Sequence, residues 1–134
     1  FDYEQVLVMH AQHPLMDKPY IEPRGLAQET LITYPIELSR LDIYTQFLTP
    51  AHKSVKKHKT IETTEIILQM VAANRGVTAL PKWLIDDIAD DQAVSYRSLG
   101  PTGIQKTLYL GHRKVPDALG FVDEFIEMAR QHNP

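Results

Sequence analysis

The sequence predicts an α/β fold in which a mostly parallel sheet is flanked by helices. The central observation is the stretch of residues 63–81, TTEIILQMVAANRGVTALP, which has the pattern of one helix, a tight turn and one short buried strand. A second observation is that strand-like and helix-like segments alternate along most of the chain. Such alternation is typical of crossover connections, which place successive strands parallel in one sheet.

The helix of this central unit is predicted from an apolar stripe at helical spacing, whose members are Ile66, Ile67, Met70, Val71 and Ala73. Thr63 or Thr64 can cap its start, because a hydroxyl accepts a hydrogen bond from a free N–H group of the first turn. Gly76 lies where the end of a helix often requires a positive φ. Residues 77–80 are short and apolar and precede Pro81, which predicts a central strand.

The remaining elements follow from the same patterns, taken in chain order. Apolar β-formers on both faces predict a buried strand at residues 3–10. The other predicted strands are residues 31–35, a short strand that ends at residues 60–61, residues 93–99 and residues 104–112. Turns are predicted at residues 12–15 and at the Gly-Pro-Thr-Gly sequence of residues 100–103.

Four further helices are predicted, at residues 20–28, 41–48 and 82–89 and from Pro116 onward. Ser39 followed by Asp42 resembles a capping box at the start of the second of these helices. The predicted buried residues of the third are Trp83, Leu84 and Ile88. The predicted stripe of the last consists of Leu119, Val122, Phe125, Ile126 and Ala129. We expect residues 104–133 to return to a second lobe, because this one-sided helix must bury its stripe somewhere.

Composition excludes several classes of function. The chain has 134 residues with a net charge of −3, which fits one soluble domain and gives no electrostatic case for binding nucleic acid. It has no cysteine, so disulfide and thiolate chemistry are excluded. No apolar run approaches the ~20 residues of a membrane span. The chain opens on the strand pattern FDYEQVLVMH without a signal peptide or an initiator methionine, so we expect a piece of a longer polypeptide.

The usual catalytic and metal-binding patterns are missing. The six histidines are scattered, and surface or turn positions explain them better than a metal site. The acidic residues 86, 87, 90 and 91 match no calcium loop, and a solvated helix end explains them better. The basic run at residues 52–59 has no interleaved aromatic residues and is interpreted as a solvated connection. No nucleophile elbow or phosphate-binding glycine loop is present, so the chain is not expected to be an enzyme or to hold a cofactor.

Polar groups that follow two predicted strands form the candidate ligand site. They are Tyr34, Pro35, Ser39, Arg40, Thr63 and Thr64. In a parallel sheet the ends of these strands meet at one edge, so two helix N-termini would face one crevice. Arg40 could add a full positive charge for a carboxylate. The alternative is that Ser39 and Thr63 only cap helices.

The order and spacing of these segments resemble the effector-binding domain of LysR-type transcriptional regulators. The threonine-led helix with QMVAANRGVTALP and the opening FDYEQVLVMHAQHPL carry this resemblance. LITYPIELSRLDIYTQFLTPA and IILQMVAANRGVTALPKWL resemble the methionine-biosynthesis regulators within that family. The resemblance implies a two-lobed fold like that of type II periplasmic binding proteins. It places lobe two at residues 11–102, and the hinge strands and the remainder of lobe one at residues 1–10 and 103–134.

The resemblance also implies a function without catalysis. The effector would be a small metabolite, homocysteine, held at the same six residues, with Glu62, Glu65 or a carbonyl as the acceptor of its ammonium. The full-length regulator would be a cytoplasmic dimer or tetramer that binds DNA through an N-terminal helix-turn-helix absent from this sequence, with RNA polymerase as a possible partner and no membrane association. The alternative is a fragment of a periplasmic solute-binding protein that binds a small anion or amino acid.

Overall fold

The computed structural model describes residues 1–88, 93–113 and 120–132. The strands among these residues are β1 (Asp2–His10), β2 (Thr30–Thr33), β3 (Lys57–Thr60), β4 (Val77–Pro81), β5 (Val94–Ser98) and β6 (Ile104–Thr107). The α-helices are α1 (Thr64–Ala72), α2 (Lys82–Asp86) and α3 (Phe121–Gln131). Short 3-10 helices lie at Pro14–Asp17, Pro23–Leu26 and Leu38–Arg40, and Ile43–Leu48 is π-helical. The predicted α/β class is confirmed.

The strands form one mixed sheet in the order β3-β2-β4-β1-β5, with β6 also paired to β1. β2 is parallel to β3 and β4, whereas β1 is antiparallel to β4, β5 and β6. The described strands other than β1 therefore all run in one direction, as the crossover pattern predicts. Because β1 enters between β4 and β5 in the opposite direction, the pairings are mixed rather than mostly parallel.

Strand β1 is a central strand of the sheet, and its two faces pack against two separate hydrophobic clusters. Leu7 and Met9 pack on one face, and Val6 and Val8 pack on the other. All four side chains are completely buried, as predicted for a strand that is apolar on both faces. The face with Leu7 is covered by the 3-10 and π-helical segments, and the face with Val6 is covered by α1 and α2.

The buried sides of α1 and α2 differ from the predicted stripes. In α1 the buried residues are Ile67, Leu68 and Val71, while Ile66 is 49% exposed and Ala73 is exposed. Helix α2 ends at Asp86, and its buried residue is Ile85; the predicted Trp83 and Leu84, and Ile88 just beyond the helix, are partly buried. Leu84 and Ile88 pack against the same cluster as Ile85, so only in α1 is the buried stripe rotated, by about one residue.

The turn after α1 is built differently from the prediction. Asn74 has the positive φ, at 56°, and Gly76 does not. Asn tolerates the left-handed conformation better than other side chains do. Gly76 is required instead for space, since a Cβ atom there would lie 2.8 Å from the carbonyl oxygen of Thr30 and 2.9 Å from Cδ1 of Ile32. The prediction for Gly76 is therefore right about the residue's importance and wrong about the reason.

The predicted helix at residues 41–48 is a π-helical segment at Ile43–Leu48, which a separate 3-10 helix at Leu38–Arg40 precedes, and the capping box does not form. Ser39 lies inside the 3-10 helix Leu38–Arg40, and Asp42 precedes the π-helical segment Ile43–Leu48. The carboxylate of Asp42 instead accepts hydrogen bonds from Gln46 Nε2 (2.8 Å) and Lys106 Nζ (3.0 Å). Asp42 therefore pairs with the distant Lys106 instead of capping a helix.

The end of the chain departs from the prediction in length and burial. Strand β6 ends at Thr107 rather than at residue 112, and α3 begins at Phe121. Pro116 and Leu119, which belong to the predicted start of the last helix, lie outside the described residues. No side chain of α3 is fully buried within the described part of the chain: Ile126 and Ala129 of the predicted stripe are partly buried, whereas Phe121 is 68% exposed and Phe125 and Met128 are also exposed.

Candidate functional site

The carboxyl ends of the three parallel strands meet at one edge of the sheet. Thr33 at the end of β2 is in register with Thr60 at the end of β3, and β4 flanks β2 on its other side. The segments that follow these strands, which contain Ser39 and Thr63, therefore leave the same edge. The shared edge agrees with the sequence argument. The helix N-terminus expected at Ser39 does not form, because Ser39 lies inside the 3-10 helix Leu38–Arg40.

A cavity of about 320 Å³ opens at this edge. Its walls come from residues 33, 34, 36, 40–43 and 78–81, with Gln5 of β1 and Leu84 of α2. The charged residues that line it, Arg40 and Asp42, lie on the segment that follows β2, and we call these two residues the rim. A mainly apolar lining with a few polar groups is the usual form of a small-molecule site.

The predicted site residues are divided between the cavity and its surroundings. Tyr34 and Arg40 line the cavity, whereas Pro35, Ser39, Thr63 and Thr64 do not. Thr64 is linked to the cavity indirectly, because its hydroxyl is hydrogen-bonded to the hydroxyl of Tyr34 at 2.5 Å. Thr64 thus holds the aromatic wall of the cavity in position.

Neither predicted capping residue makes a capping contact. Thr63 precedes α1 with an extended backbone, but its side chain makes no cap hydrogen bond to the described residues. Ser39 is an exposed residue within a three-residue 3-10 helix, so it does not begin a helix at all. The alternative interpretation of these two residues as simple caps is therefore wrong, and their role in binding a ligand stays a prediction.

The two charged residues of the rim differ in how they are engaged. The guanidinium of Arg40 is exposed and has no hydrogen bond or ion pair with any residue in the described ranges. The carboxylate of Asp42 is bound to Lys106 Nζ, at 3.0 Å from each of its oxygens, and to Gln46. One cation is free to meet a ligand, while one anion already holds an ammonium group.

The neutral polar groups of the walls are satisfied internally. The hydroxyl of Thr33 donates to the carbonyl of Tyr34 (3.0 Å) and is hydrogen-bonded to His58 Nε2 (2.7 Å). The hydroxyl of Thr78 donates to the carbonyl of Ile32 at 2.7 Å, and Gln5 Nε2 donates to the carbonyl of Ala79 at 3.3 Å. These bonds keep the walls rigid and leave recognition of charge to the rim.

Sequence reasoning missed Asp42, Thr78 and Gln5. The sequence analysis assigned Asp42 to a capping box with Ser39 and therefore did not consider it as a residue of the cavity. Thr78 is a polar residue inside the otherwise apolar run of β4, which is the signal that could have indicated it. The predicted acceptors Glu62 and Glu65 are exposed residues that do not line the cavity.

Other candidate sites have weaker support. Among the described residues there is no group of three or more histidine or acidic side chains that could hold a metal ion. No helix in that part of the chain is long and apolar enough to cross a membrane. A cavity of about 590 Å³ lies between α3 and the segment that follows β6, and its lining is largely apolar.

The whole chain, residues 1–134, matches the model of the LysR substrate binding domain. The chain belongs to this family. The family is a regulatory one without enzymatic activity, which agrees with the expectation that the chain is not an enzyme. The solved effector-binding domain of QuiR, in complex with shikimate, shares only the fold, with a TM-score of 0.70 at 19% identity over 99% of this chain and 64% of that one.

The more similar proteins are MetR regulators. The chain is 39% identical over 132 residues to the HTH-type transcriptional regulator MetR of Escherichia coli K12. The matched region covers 98% of this chain and 41% of that protein. The regulatory domain of MetR from Neisseria meningitidis, a LysR family regulator, superposes with a TM-score of 0.83 at 30% identity, over 98% of this chain and 60% of that one. The chain therefore spans less than half the length of the curated relative and about three fifths of the solved domain.

Proposed function

We propose that this chain is part of the effector-binding domain of a LysR-type regulator of methionine biosynthesis, and that the cavity at the strand ends binds homocysteine. The observation that carries the proposal is the free guanidinium of Arg40 at the rim of a cavity formed by adjacent parallel strands. A carboxylate is the natural partner of such a group, because a charge-assisted hydrogen bond to guanidinium can be bidentate. The similarity to MetR proteins supports the proposal that the chain belongs to such a regulator, and homocysteine is the ligand that this resemblance implies.

The proposed regulator has two lobes, and the ligand lies between them. We assign residues 11–102 to lobe two, and residues 1–10 and 103–134 to the hinge strands and part of lobe one. The second half of β1 pairs with β4 and β5, so it also belongs to the sheet of lobe two. Two features support this division. The first half of β1 pairs with β6, over Asp2–Gln5 and Ile104–Thr107, as two adjacent hinge strands would. In addition, Phe121, Phe125 and Met128 of α3 are exposed, as expected for a helix whose packing partners belong to the rest of lobe one.

The full-length protein is proposed to act in the cytoplasm as a dimer or tetramer. DNA binding would come from an N-terminal helix-turn-helix domain, and contact with RNA polymerase would follow from its position on the promoter. The exposed apolar face of α3 is a candidate surface for packing within lobe one or between subunits. Effector binding would shift the balance between two arrangements of the lobes in proportion to its different affinity for each.

Calorimetric titration of the full-length regulator with L-homocysteine tests the ligand. We expect the wild type to bind and Arg40→Gln to bind about 10- to 100-fold more weakly, because a hydrogen bond to a charged group contributes about 1.5–3 kcal/mol. Arg75→Gln is the matched control, since Arg75 is an exposed arginine before β4, at the opposite edge of the sheet. Absence of homocysteine binding to the folded wild type, or equal affinity of Arg40→Gln and wild type, would contradict the proposal.

A further inference from the structure

Asp42 shares the rim of the cavity with Arg40 and has the opposite charge. The two residues are separated by one position in the chain, and both line the same cavity. The guanidinium of Arg40 has no partner among the described residues, while Asp42 holds the ammonium of Lys106 with both oxygens at 3.0 Å. A pair of opposite charges at one cavity matches a zwitterion, whose carboxylate and ammonium are joined by a single carbon.

Lys106 is the present partner of the Asp42 carboxylate, but Lys106 itself does not line the cavity. Its side chain is 32% exposed and that of Asp42 is 23% exposed, so the pair is partly open to solvent and is not sealed in the core. A lysine ammonium is a compact charge on a flexible four-carbon stem, and it can swing into solvent. Exchange of one ammonium for another leaves the carboxylate of Asp42 paired throughout, which avoids the cost of an unpaired, partly buried charge.

We infer that Asp42 is the specificity-determining residue for an α-amino group, and that it binds the ammonium of the ligand in exchange for Lys106. The inference rests on the proposed function of the cavity and names the chemical class of its ligand, an α-amino acid. Gln46 donates to Oδ1 of Asp42 and holds the carboxylate in place during the exchange.

The exchange has a consequence for the hinge strands. Lys106 lies on β6 opposite Tyr3 of β1, so its pair with Asp42 connects the hinge strands to the segment at residues 38–48. A ligand that takes Asp42 releases this connection. Binding of an α-amino acid is thereby coupled to the attachment of the segment at the mouth of the cavity.

The test compares ligands and variants in calorimetric titrations of the full-length regulator. The ligands are L-homocysteine, L-methionine and 4-mercaptobutanoate, which lacks the amino group. We expect the wild type to bind at least one of the two amino acids about 10- to 100-fold more tightly than 4-mercaptobutanoate. We expect Asp42→Asn to lose this preference, because Asn keeps the volume and can still accept from Gln46 but carries no charge.

Lys106→Met is the control for a purely structural role of the ion pair. It breaks the same pair but leaves the carboxylate of Asp42 available, so we expect it to bind the amino acid as tightly as the wild type or more tightly. Equal losses of affinity in Asp42→Asn and Lys106→Met would overturn the inference, and so would a wild type that binds 4-mercaptobutanoate as well as the amino acids. Binding of methionine without homocysteine would refute the proposed effector and leave the role of Asp42 intact. Failure of the folded wild type to bind either amino acid would refute both proposals.

Discussion

The hydrogen bond between Tyr34 and Thr64 ties the wall of the cavity to the first turn of α1, and its removal gives the most informative prediction. The two hydroxyls are 2.5 Å apart and partly buried. A neutral hydrogen bond of this kind contributes about 0.5–1.5 kcal/mol to stability. We therefore expect Tyr34→Phe and Thr64→Val each to lower the free energy of unfolding by about 1 kcal/mol. The double variant should lose about the same amount rather than the sum, with a coupling energy of about 0.5–1 kcal/mol.

The same three variants distinguish two roles for Thr64 in binding. If Thr64 acts only by positioning Tyr34, the double variant has the effector affinity of Tyr34→Phe alone. If Thr64 contacts the ligand, as the sequence predicted, the losses of affinity add. The assays are urea unfolding of the complete effector-binding domain, followed by circular dichroism, and calorimetric titration. Tyr109→Phe is the control, because Tyr109 is 84% exposed and far from the cavity. A coupling energy below about 0.3 kcal/mol would refute the assignment of the hydrogen bond.

Two further predictions concern stability. Gly76→Ala should lower the free energy of unfolding by about 1–3 kcal/mol in urea melts, because its Cβ would lie 2.8 Å from a backbone oxygen. Gly25→Ala is the control and should be nearly neutral, because its Cβ would meet nothing closer than 3.5 Å. Equal losses of stability in the two variants would contradict the argument. Asp86 accepts from Lys82 Nζ (2.7 Å), and this hydrogen bond, with a smaller contribution from Tyr96, holds the pKa of the carboxyl below its ordinary value. Its contribution is therefore present at neutral pH and is lost as the pH falls through the depressed pKa. Since both side chains are over 40% exposed, we expect Asp86→Asn to lower the free energy of unfolding by only about 0.5 kcal/mol at pH 7, and not to change it below that pKa. A loss of stability that persists in urea melts below that pKa would refute the predicted pH dependence.

The candidate site was predictable where it depended on strand direction and not where it depended on distant side chains. Tyr34 and Arg40 follow β2, and the carboxyl ends of parallel strands share an edge whatever the details of packing. Asp42 was assigned to a local cap because that partner is visible at short spacing. Its actual partner, Lys106, lies 64 residues away in the sequence, and only the assembled sheet brings β6 beside the segment that carries Asp42.

The sequence by itself determined the α/β class, the helix–turn–strand unit centred on α1 and β4, and the burial of the apolar residues Val6–Met9 of β1. These features depend on patterns within a few residues, and the hydrophobic effect enforces such patterns in any fold that covers both faces of a sheet. The tertiary structure alone decided that β1 runs between β4 and β5 in the opposite direction, which sides of α1 and α2 are covered, and why Gly76 must be glycine. Each of these depends on which atoms meet across the sheet, and that is a property of the packed chain rather than of any one segment.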